Sequence, residues 1–407
     1  MTAAEIQRHL LACFPSDAFV VGGAVRDRLL GRTTLDLDIV VPYDPEKAAG
    51  KLAARLKGRA FPLHVDLGIF RVVAGELHVD IARQQGKDLA ADLDRRDLSV
   101  NALAVPLAAW GDRAWKKQVI DRHAGLADLT KKRLVPVSKT AFREDPLRLL
   151  RTFRIGAELG FSIPPDTTRL IASQRKLAAR PAAERVREEF LRAFATTRAY
   201  PALVSMEKSG VLDVLFPPSA TLRRTAPDYY GAGGVLKHTL DSVKFFEEIV
   251  ETLASWFPKH HKKIRAYLAE PITGHPRLAH CKWALLLHDI GKPKTAKMLD
   301  GRLRFFEHEH VGADMVARLS ERYRWSSEET TRYARLVRNH MRPGNLATHP
   351  EVTDKAVNRF FRDLEDDGIS MLLVSLADHL TYLNAAQRRR RDSAHERVTI
   401  DMVNQYY

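Results

Sequence analysis

Two aspartates stand at alternating positions in the stretch VVGGAVRDRLLGRTTLDLDIVV, which runs from Val20 to Val41. Asp36 and Asp38 alternate with Leu35, Leu37 and Ile39. A strand sends residues i and i+2 to one face, so both carboxylates point together from an apolar run, an arrangement that repels itself unless a cation lies between them. Hard carboxylate oxygens suit Mg²⁺, and two such ions can activate a 3′-hydroxyl and stabilise a pyrophosphate leaving group. Just upstream, Gly22 and Gly23 allow a backbone to come close to a ligand. Turn N–H groups opening the next helix suit phosphate oxygens, with Arg26 as a fork-shaped partner beside Asp27. Asp80, in HVDIAR, is a third acid in a strand-like setting. A glycine turn followed by solvated edge-strand aspartates fits the same letters, and a DxD alone does not choose.

Further along, RRDLSVNALA sets Arg95, Arg96, Asp97 and Asn101 at an expected helix start, where guanidinium and amide groups could hold a triphosphate and a ribose. Asp97 is equally a natural N-cap there. In FREDPLRLLRTFRI, Pro146 fits a first helical turn and Asp145 the cap before it. Arg148, Arg151 and Arg154 follow at a spacing that brings them near one helical face, suited to an RNA backbone, since phosphate contacts supply much of nucleic-acid affinity. The later part of the chain carries the ordered set His238, His288 with Asp289 and Lys292, then His308, His340 and Asp378. Any one of the chain's 16 histidines would by itself be an ordinary helix residue, but the order H…HD…H…H…D is harder to dismiss.

These residues need elements to hold them. Up to about residue 135, short β-like runs at Phe19 to Val21, Leu37 to Val41, Gly68 to Val73 and Leu77 to Ile81 mix with helical patterns. From FREDPLRLLRTFRI onward the apolar spacing is mostly helical, with DYYGAGGVLKHTL read as a linker and no internal repeat. The expectation is an α+β chain: a head with a small mixed sheet, then all-α segments. The chain has 407 residues, ample for two or three domains. Its 65 Lys and Arg against 50 Asp and Glu leave +15, which favours an anionic partner. No apolar run approaches bilayer length and no secretory leader pattern opens the chain, so no membrane partner is expected. Cys13 and Cys281 read as two reduced thiols in a soluble cytoplasmic protein. Four arginines at Arg388 to Arg391 read first as a solvated helix face and second as an RNA contact.

The motifs GGAVRD, the Asp36/Asp38 pair, RRDLSVNA, IDRHAGLADL and EDPLRLLR resemble, in order and spacing, the bacterial CCA-adding enzyme and poly(A) polymerase family. These are class II nucleotidyltransferases of the polymerase β superfamily. The resemblance implies a polymerase β-type head over residues 1–135, a helical neck and body over 136–228, and a last domain over 229–407. It makes Asp36 and Asp38 the catalytic Mg²⁺ ligands, and RRD with Asn101 the holders of the incoming nucleotide. Asp145 and Arg148 match the family's protein template for CTP and ATP: a carboxylate accepts from the exocyclic amine of cytosine or adenine, and arginine donates to the adjacent ring position. The implied partner is the 3′ end of tRNA. Only IARQQGKDLAADLD separates Asp80 from Arg95. A segment this short resembles CC-adding enzymes, which leave the terminal adenosine to another protein; CC addition and full CCA addition both stay open.

The second constellation resembles an HD phosphohydrolase domain. By that resemblance His238, His288, Asp289 and Asp378 form one metal site, His308 and His340 support a second, and Lys292 neutralises phosphate charge. Imidazole with carboxylate suits Mn²⁺, Ni²⁺, Fe²⁺ or Co²⁺, with Mg²⁺ a further candidate. Glu307 stands where the pattern usually has glycine. The rival expectations are a poly(A) polymerase on the same scaffold, and an HD phosphohydrolase whose head only binds RNA.

Overall fold

The computed structural model of the chain describes residues 3–14, 17–65 and 68–407. The chain forms two compact units: Met1–Arg148 with Phe161–Leu170, and Leu149–Gly160 with Ile171–Tyr407.

The first unit is built on seven strands: β1 (Phe19–Val21), β2 (Asp36–Val41), β3 (Arg59–His64), β4 (Ile69–Ala74), β5 (Leu77–Arg83), β6 (Leu103–Pro106) and β7 (Ile120–Asp121). They lie in the order β3-β4-β5-β2-β1-β6-β7, with β2 and β5 parallel and every other pair antiparallel. The mixed sheet follows from the connections. A two-residue loop, Gly75-Glu76, turns β4 directly into antiparallel β5, whereas parallel β2 and β5 need the longer excursion through the Glu46–Leu56 helix, β3 and β4. Leu37 and Ile39 are buried, whereas Asp36 and Asp38 are exposed. The sequence reading set the two acids inside an apolar run; the pleat instead gives the apolar side chains to the core and the acids to water. Val21, Val40, Leu93 and Ala104 form a buried cluster against which Phe19, Leu89 and Ile120 pack. Each large aliphatic buried there contributes about 1.5–3 kcal/mol.

The four strands legible in the sequence are β1, β2, β4 and β5. β3 escapes because it is mostly exposed and contains Pro62, as an edge strand can, so neither alternation nor apolar content marks it. The expected helix start at RRDLSVNALA is corrected. Arg95 closes the Leu89–Asp94 helix, and Ser99–Asn101 forms one 3₁₀ turn leading into β6.

The second unit is helical apart from two small hairpins, Pro271–Ile272 with His275–Pro276 and Lys297–Leu299 with Arg302–Arg304. The Gly368–Leu380 helix is apolar on nearly all sides and almost wholly buried, so it serves as a central post. The expected linker DYYGAGGVLKHTL is corrected: its first residues end the Pro227–Tyr230 helix and VLKHTL lies inside the Gly234–Glu251 helix. Gly234 has φ 54°, and a Cβ there would lie 2.4 Å from the Thr225 carbonyl oxygen, so its glycine permits close packing of the chain on itself. Two of the four consecutive arginines are engaged in packing: Arg391 lies 4.0 Å over the Trp256 ring and Arg388 4.8 Å over Phe245. Both cysteines are free thiols. Among the described residues no helix is long and apolar enough to cross a membrane.

A buried ion pair ties three helices of this unit together. Lys282 Nζ donates to Glu247 Oε1 at 2.6 Å, and Glu247 also accepts from the backbone N–H groups of Ala199 and Tyr200 at 2.6 and 3.2 Å. One carboxylate thus neutralises a lysine and caps the Ala199–Lys208 helix. Burial lowers the lysine's pKa, with Glu247 opposing that shift. Removing the cation alone leaves a buried carboxylate without its counter-charge, so Lys282→Met is expected to destabilise this unit by about 3 kcal/mol, read from its denaturant midpoint.

Candidate functional site

The register of β2 sets Asp38 beside Asp80 on β5 and beside Val21 on β1, and puts Asp36 opposite His78. His78 Nδ1 lies 3.0 Å from Asp36 Oδ1, and the Asp36 side chain is 81% exposed. Gly22 caps the Gly23–Leu29 helix with φ 71° and ψ −133°. A Cβ at Gly22 would lie 2.9 Å from Arg96 Nη1 and 3.4 Å from Asp38 Oδ2. The glycine therefore brings a cationic and an anionic side chain to one backbone turn, in a conformation other residues adopt only with strain.

The other residues expected at this site divide into those that face it and those that stiffen it. Arg26 is buried: its Nη1 donates to Asn101 Oδ1 at 2.6 Å, and its Nε and Nη2 donate to Asp27 at 2.9 and 3.0 Å. Asn101 Nδ2 donates to Asp97 Oδ1 at 3.1 Å. Asp27, Arg26, Asn101 and Asp97 thus form one hydrogen-bonded chain. Three of the five N–H donors of Arg26 are thus directed at Asn101 and Asp27. Arg96 pairs with Asp92 at 3.0 Å, and Arg95 is exposed. Arg148 Nη2 donates to the Arg95 carbonyl at 2.5 Å and its Nη1 to the Ala141 carbonyl at 3.1 Å. Asp145 Oδ1 accepts the Leu147 N–H at 3.1 Å, the capping contact anticipated for it. In the second unit, Arg151 is half-buried, whereas Arg154 is 5% exposed and clamped by Glu158 and Glu189, each at 2.6 Å. That burial contradicts the expected RNA-facing role of Arg154.

Sequence reasoning missed Arg71. Its Nε and Nη2 engage both oxygens of Asp80, at 2.6 and 2.7 Å. The hydrogen bonds to Asp80, reinforced by the charges of Asp36 and Asp38, raise the guanidinium's pKa. A signal was present: Ala74 opposite Leu77 sets the register of the two-residue loop, and counting back from it puts Arg71 opposite Asp80. Asp36 and Asp38 fit Mg²⁺, an ion held by one or two carboxylates and completed by substrate phosphates and water.

The second constellation converges completely. His238 lies on the Gly234–Glu251 helix, His288 and Asp289 directly follow the Arg277–Leu287 helix, and His308 opens the His308–Tyr323 helix. His340 ends the Ser327–Asn339 helix, and Asp378 lies on Gly368–Leu380. The ligand atoms of His238, His288 and Asp378 form one group within 4.8 Å of one another, and those of Asp289, His308 and His340 form another. Asp289 links them: its Oδ2 lies 3.0 Å from His238 Nε2 and its Oδ1 lies 3.4 Å from His308 Nε2.

The outer nitrogens fix how the rings are used. Nδ1 of His288, His308 and His340 each meets a backbone carbonyl, of Leu285, Phe305 and Val337, at 2.7 Å. A carbonyl only accepts, so each Nδ1 carries a proton. Thr381 Oγ1 donates to the Asp378 carbonyl at 2.7 Å and so accepts from His238 Nδ1 at 2.8 Å. All four Nε2 atoms therefore turn inward as lone pairs when the rings are neutral. Asp289 Oδ1 and Asp378 Oδ1 are buried without a hydrogen-bond partner in the protein. Lone pairs and carboxylates packed this closely fit divalent cations, with imidazole orientation set from behind as metal sites require.

Three surrounding residues were not anticipated. Thr381 orients His238, and the rings of Tyr230 and Tyr382 lie 4.9 and 5.0 Å from the His238 ring. Lys292 Nζ donates to Asp289 Oδ2 at 2.6 Å and to the Tyr230 hydroxyl at 2.8 Å. Glu307 adopts φ 61° just before His308. That left-handed backbone is the physical reason for a glycine in the related pattern, and here it is filled at about 1 kcal/mol of strain.

Burial opposes charge on His288, yet Asp289 and Asp378 push its pKa up to about 10. His340 is lowered by burial to about 3. At pH 7 His288 is therefore protonated and His340 neutral. With His288 as a ligand, cation binding displaces its proton, so apparent affinity is expected to rise about tenfold per pH unit between about pH 7 and pH 10. Calorimetry with Mn²⁺ or Ni²⁺ in buffers of different ionisation enthalpy should report close to one proton released per chain from this imidazole. No proton release would contradict the assignment.

Residues 18–135 match the Poly A polymerase head domain, 160–221 the probable RNA and SrmB-binding site of polymerase A, and 235–383 the HD domain. A CC-adding tRNA nucleotidyltransferase of Thermus thermophilus is 36% identical over 382 residues, spanning 92% of this chain and 76% of that protein. An A-adding tRNA nucleotidyltransferase of Deinococcus radiodurans is 33% identical over 377 residues, spanning 90% of this chain and 78% of that protein. In fold, the chain is similar to a Thermotoga maritima CCA-adding enzyme solved in complex with tRNA, with TM-score 0.64 and 18% identity over 99% of this chain and 83% of that one. The similarity over 92% of this chain and the three matched segments make it a member of the class II tRNA nucleotidyltransferase family, in the form that carries an HD domain after its head and RNA-binding segment.

Proposed function

We propose that the head transfers a nucleotide from CTP, and from ATP where synthesis proceeds that far, to the 3′-hydroxyl of tRNA without a nucleic-acid template. The observation that carries this reading is the exposed Asp36/Asp38 pair on one face of β2, next to the Gly22 turn and Arg96. Mg²⁺ held by Asp36 and Asp38 would acidify the terminal hydroxyl and offset charge on the departing pyrophosphate. Arg96 and the exposed Arg95 supply positive charge for the triphosphate. The chain Asp27–Arg26–Asn101–Asp97 keeps that wall rigid, and Asp80 contributes by holding Arg71 within the field of the pair. Asp145 and Arg148 select the base, since uracil and guanine would leave their polar groups unpaired. In this reading residues 1–135 catalyse, 136–228 recognise base and RNA, and 229–407 form the HD part.

Arrest after two cytidines is the favoured stopping point. The segment between Asp80 and Arg95 is short and pinned: Asp92 accepts from the Gln85 backbone N–H at 3.0 Å and pairs with Arg96, leaving little slack for a larger rearrangement. The HD part is a metal-dependent phosphohydrolase. His238, His288 and Asp378 hold one ion, Asp289, His308 and His340 a second, and Lys292 offsets phosphate charge. Water adds across a phosphoester bond: its oxygen joins phosphorus, and the ester oxygen leaves with a proton. A tRNA substrate and two reduced thiols fit the cytoplasm.

The test supplies Mg²⁺ with tRNA lacking CCA, ending in C, or ending in CC, and gives CTP and ATP separately and together. Two cytidines and no further step are expected. A final adenosine would make the chain a CCA enzyme, adenosine added only to tRNA ending in CC an A-adding one, and long A tails on unrelated RNA a poly(A) polymerase. Asp36→Ala with Asp38→Ala should reduce incorporation by at least ~10³-fold while metal-dependent phosphohydrolase activity persists. A wild type that hydrolyses phosphoesters but never incorporates nucleotide would leave the head as an RNA-binding part only.

A further inference from the structure

Between the metal-site residues Asp289 and His308 the chain leaves the helical body as a β-hairpin, Lys297–Leu299 paired with Arg302–Arg304. Its register sets Lys297 opposite Arg304 and Leu299 opposite Arg302. Directly opposed residues of an antiparallel pair share a face, so Lys297, Arg302 and Arg304 lie on one side of the ribbon. All three are exposed, and Met298 and Phe306 are 64% and 66% exposed. Both legs are rooted at the metal cluster. Lys292, on Asp289, precedes the first leg, and Phe305, at the foot of the second, lies 5.6 Å from Lys292 Nζ and accepts from His308 Nδ1 at 2.7 Å. A ribbon this short, at about 3.3 Å per residue, keeps all three cations within roughly 10–15 Å of that root.

A free mononucleotide needs none of this. The metal cluster and Lys292 already answer one phosphate, and three further cations on one face of the ribbon, Lys297 and Arg304 at its foot and Arg302 towards its tip, answer a chain of phosphates. An exposed aromatic at the foot of a cationic track is the combination that binds single-stranded nucleic acid: charge follows the backbone and a ring takes a base. We propose that this hairpin is the docking arm for a single RNA strand whose terminal phosphate enters the HD site, with Lys297, Arg302 and Arg304 on the backbone and Phe306 under a base. The proposal rests on the phosphohydrolase reading of the HD part.

The exposed arm can be altered without touching a metal ligand. Wild type and the triple variant Lys297→Ala, Arg302→Ala, Arg304→Ala are compared, with Mn²⁺ or Ni²⁺, on 2′,3′-cyclic AMP and on a short RNA ending in a 2′,3′-cyclic phosphate. The expected result is a fall of roughly tenfold or more in kcat/KM on the RNA, with cyclic AMP hydrolysis within about twofold of wild type. The slope of log KM against log salt on the RNA should flatten by about two, as loss of three single-strand phosphate contacts requires. Phe306→Ala should weaken use of the RNA without changing that slope. Equal losses on both substrates, or on neither, overturn the arm. So does binding to phosphatidylglycerol vesicles that the triple variant loses while RNA hydrolysis stays intact. If wild type hydrolyses neither substrate the phosphohydrolase reading falls. The arm is then judged by fluorescence anisotropy of labelled 3′-phosphorylated RNA, where a difference under about twofold between wild type and triple variant overturns it.

Discussion

Carboxylates gathered at one place repel one another, and the chain meets that constraint in two opposite ways. In the head Asp36 stays in water, where two charges 4 Å apart interact with only about 1 kcal/mol, and flanking Arg71 answers the remaining field. In the helical unit Asp289 and Asp378 are buried among histidines, where the same interaction is several-fold stronger. A buried pair cannot rely on solvent. It needs cationic or protonated partners from the protein itself, and Lys292 and His288 supply them. Against the upward push of burial, His288 and Lys292 hold Asp289 well below the ordinary carboxylate range, and His238 with His288 does the same for Asp378.

Helix ends provide the means of holding those imidazoles. The last carbonyls of a helix lack partners within it. His288 and His340 each follow the final residue of a helix and turn Nδ1 onto a carbonyl of its last turn, those of Leu285 and Val337. The ring thereby satisfies a group that would otherwise need water, and the same contact aims Nε2 inward. His238, in a helix interior, has no such carbonyl and takes Thr381 instead. A cluster fit to hold divalent cations thus draws on ordinary capping chemistry applied at two helix termini.

Residue type and spacing made most of this legible in the sequence, and the losses have definite causes. Asp36 and Asp38 share a face because strand alternation carries them, and the six histidines and aspartates singled out in the helical unit come together in the structure from several helices. Arg154 was misread because a guanidinium facing a ligand and one locked to Glu158 and Glu189 look alike as letters. Arg71 depends on strand register, Thr381 on the tautomer of a histidine far away in sequence, and Tyr230 on a glycine-rich turn that reads as flexible. Each is a tertiary relation, and only Arg71 left a local signal, in its two-residue hairpin loop.

Where synthesis stops is a different kind of property, and overall similarity does not carry it. The CC-adding and A-adding relatives are 36% and 33% identical to this chain, a difference too small to assign one activity over the other. On the proposed reading one Asp/Arg pair serves cytosine and adenine alike, because both bases offer an exocyclic amine beside a ring acceptor. The choice between them must then come from how far the surrounding backbone can move to admit a purine. Arg148 reaches the Arg95 carbonyl, and Asp92 binds both Gln85 and Arg96, so the segment from Gln85 to Arg96 is fastened at both ends beside the template residues. A change in specificity therefore requires lengthening or unfastening that segment, whereas substitution of the carboxylate or guanidinium that touches the base would remove recognition of both nucleotides together.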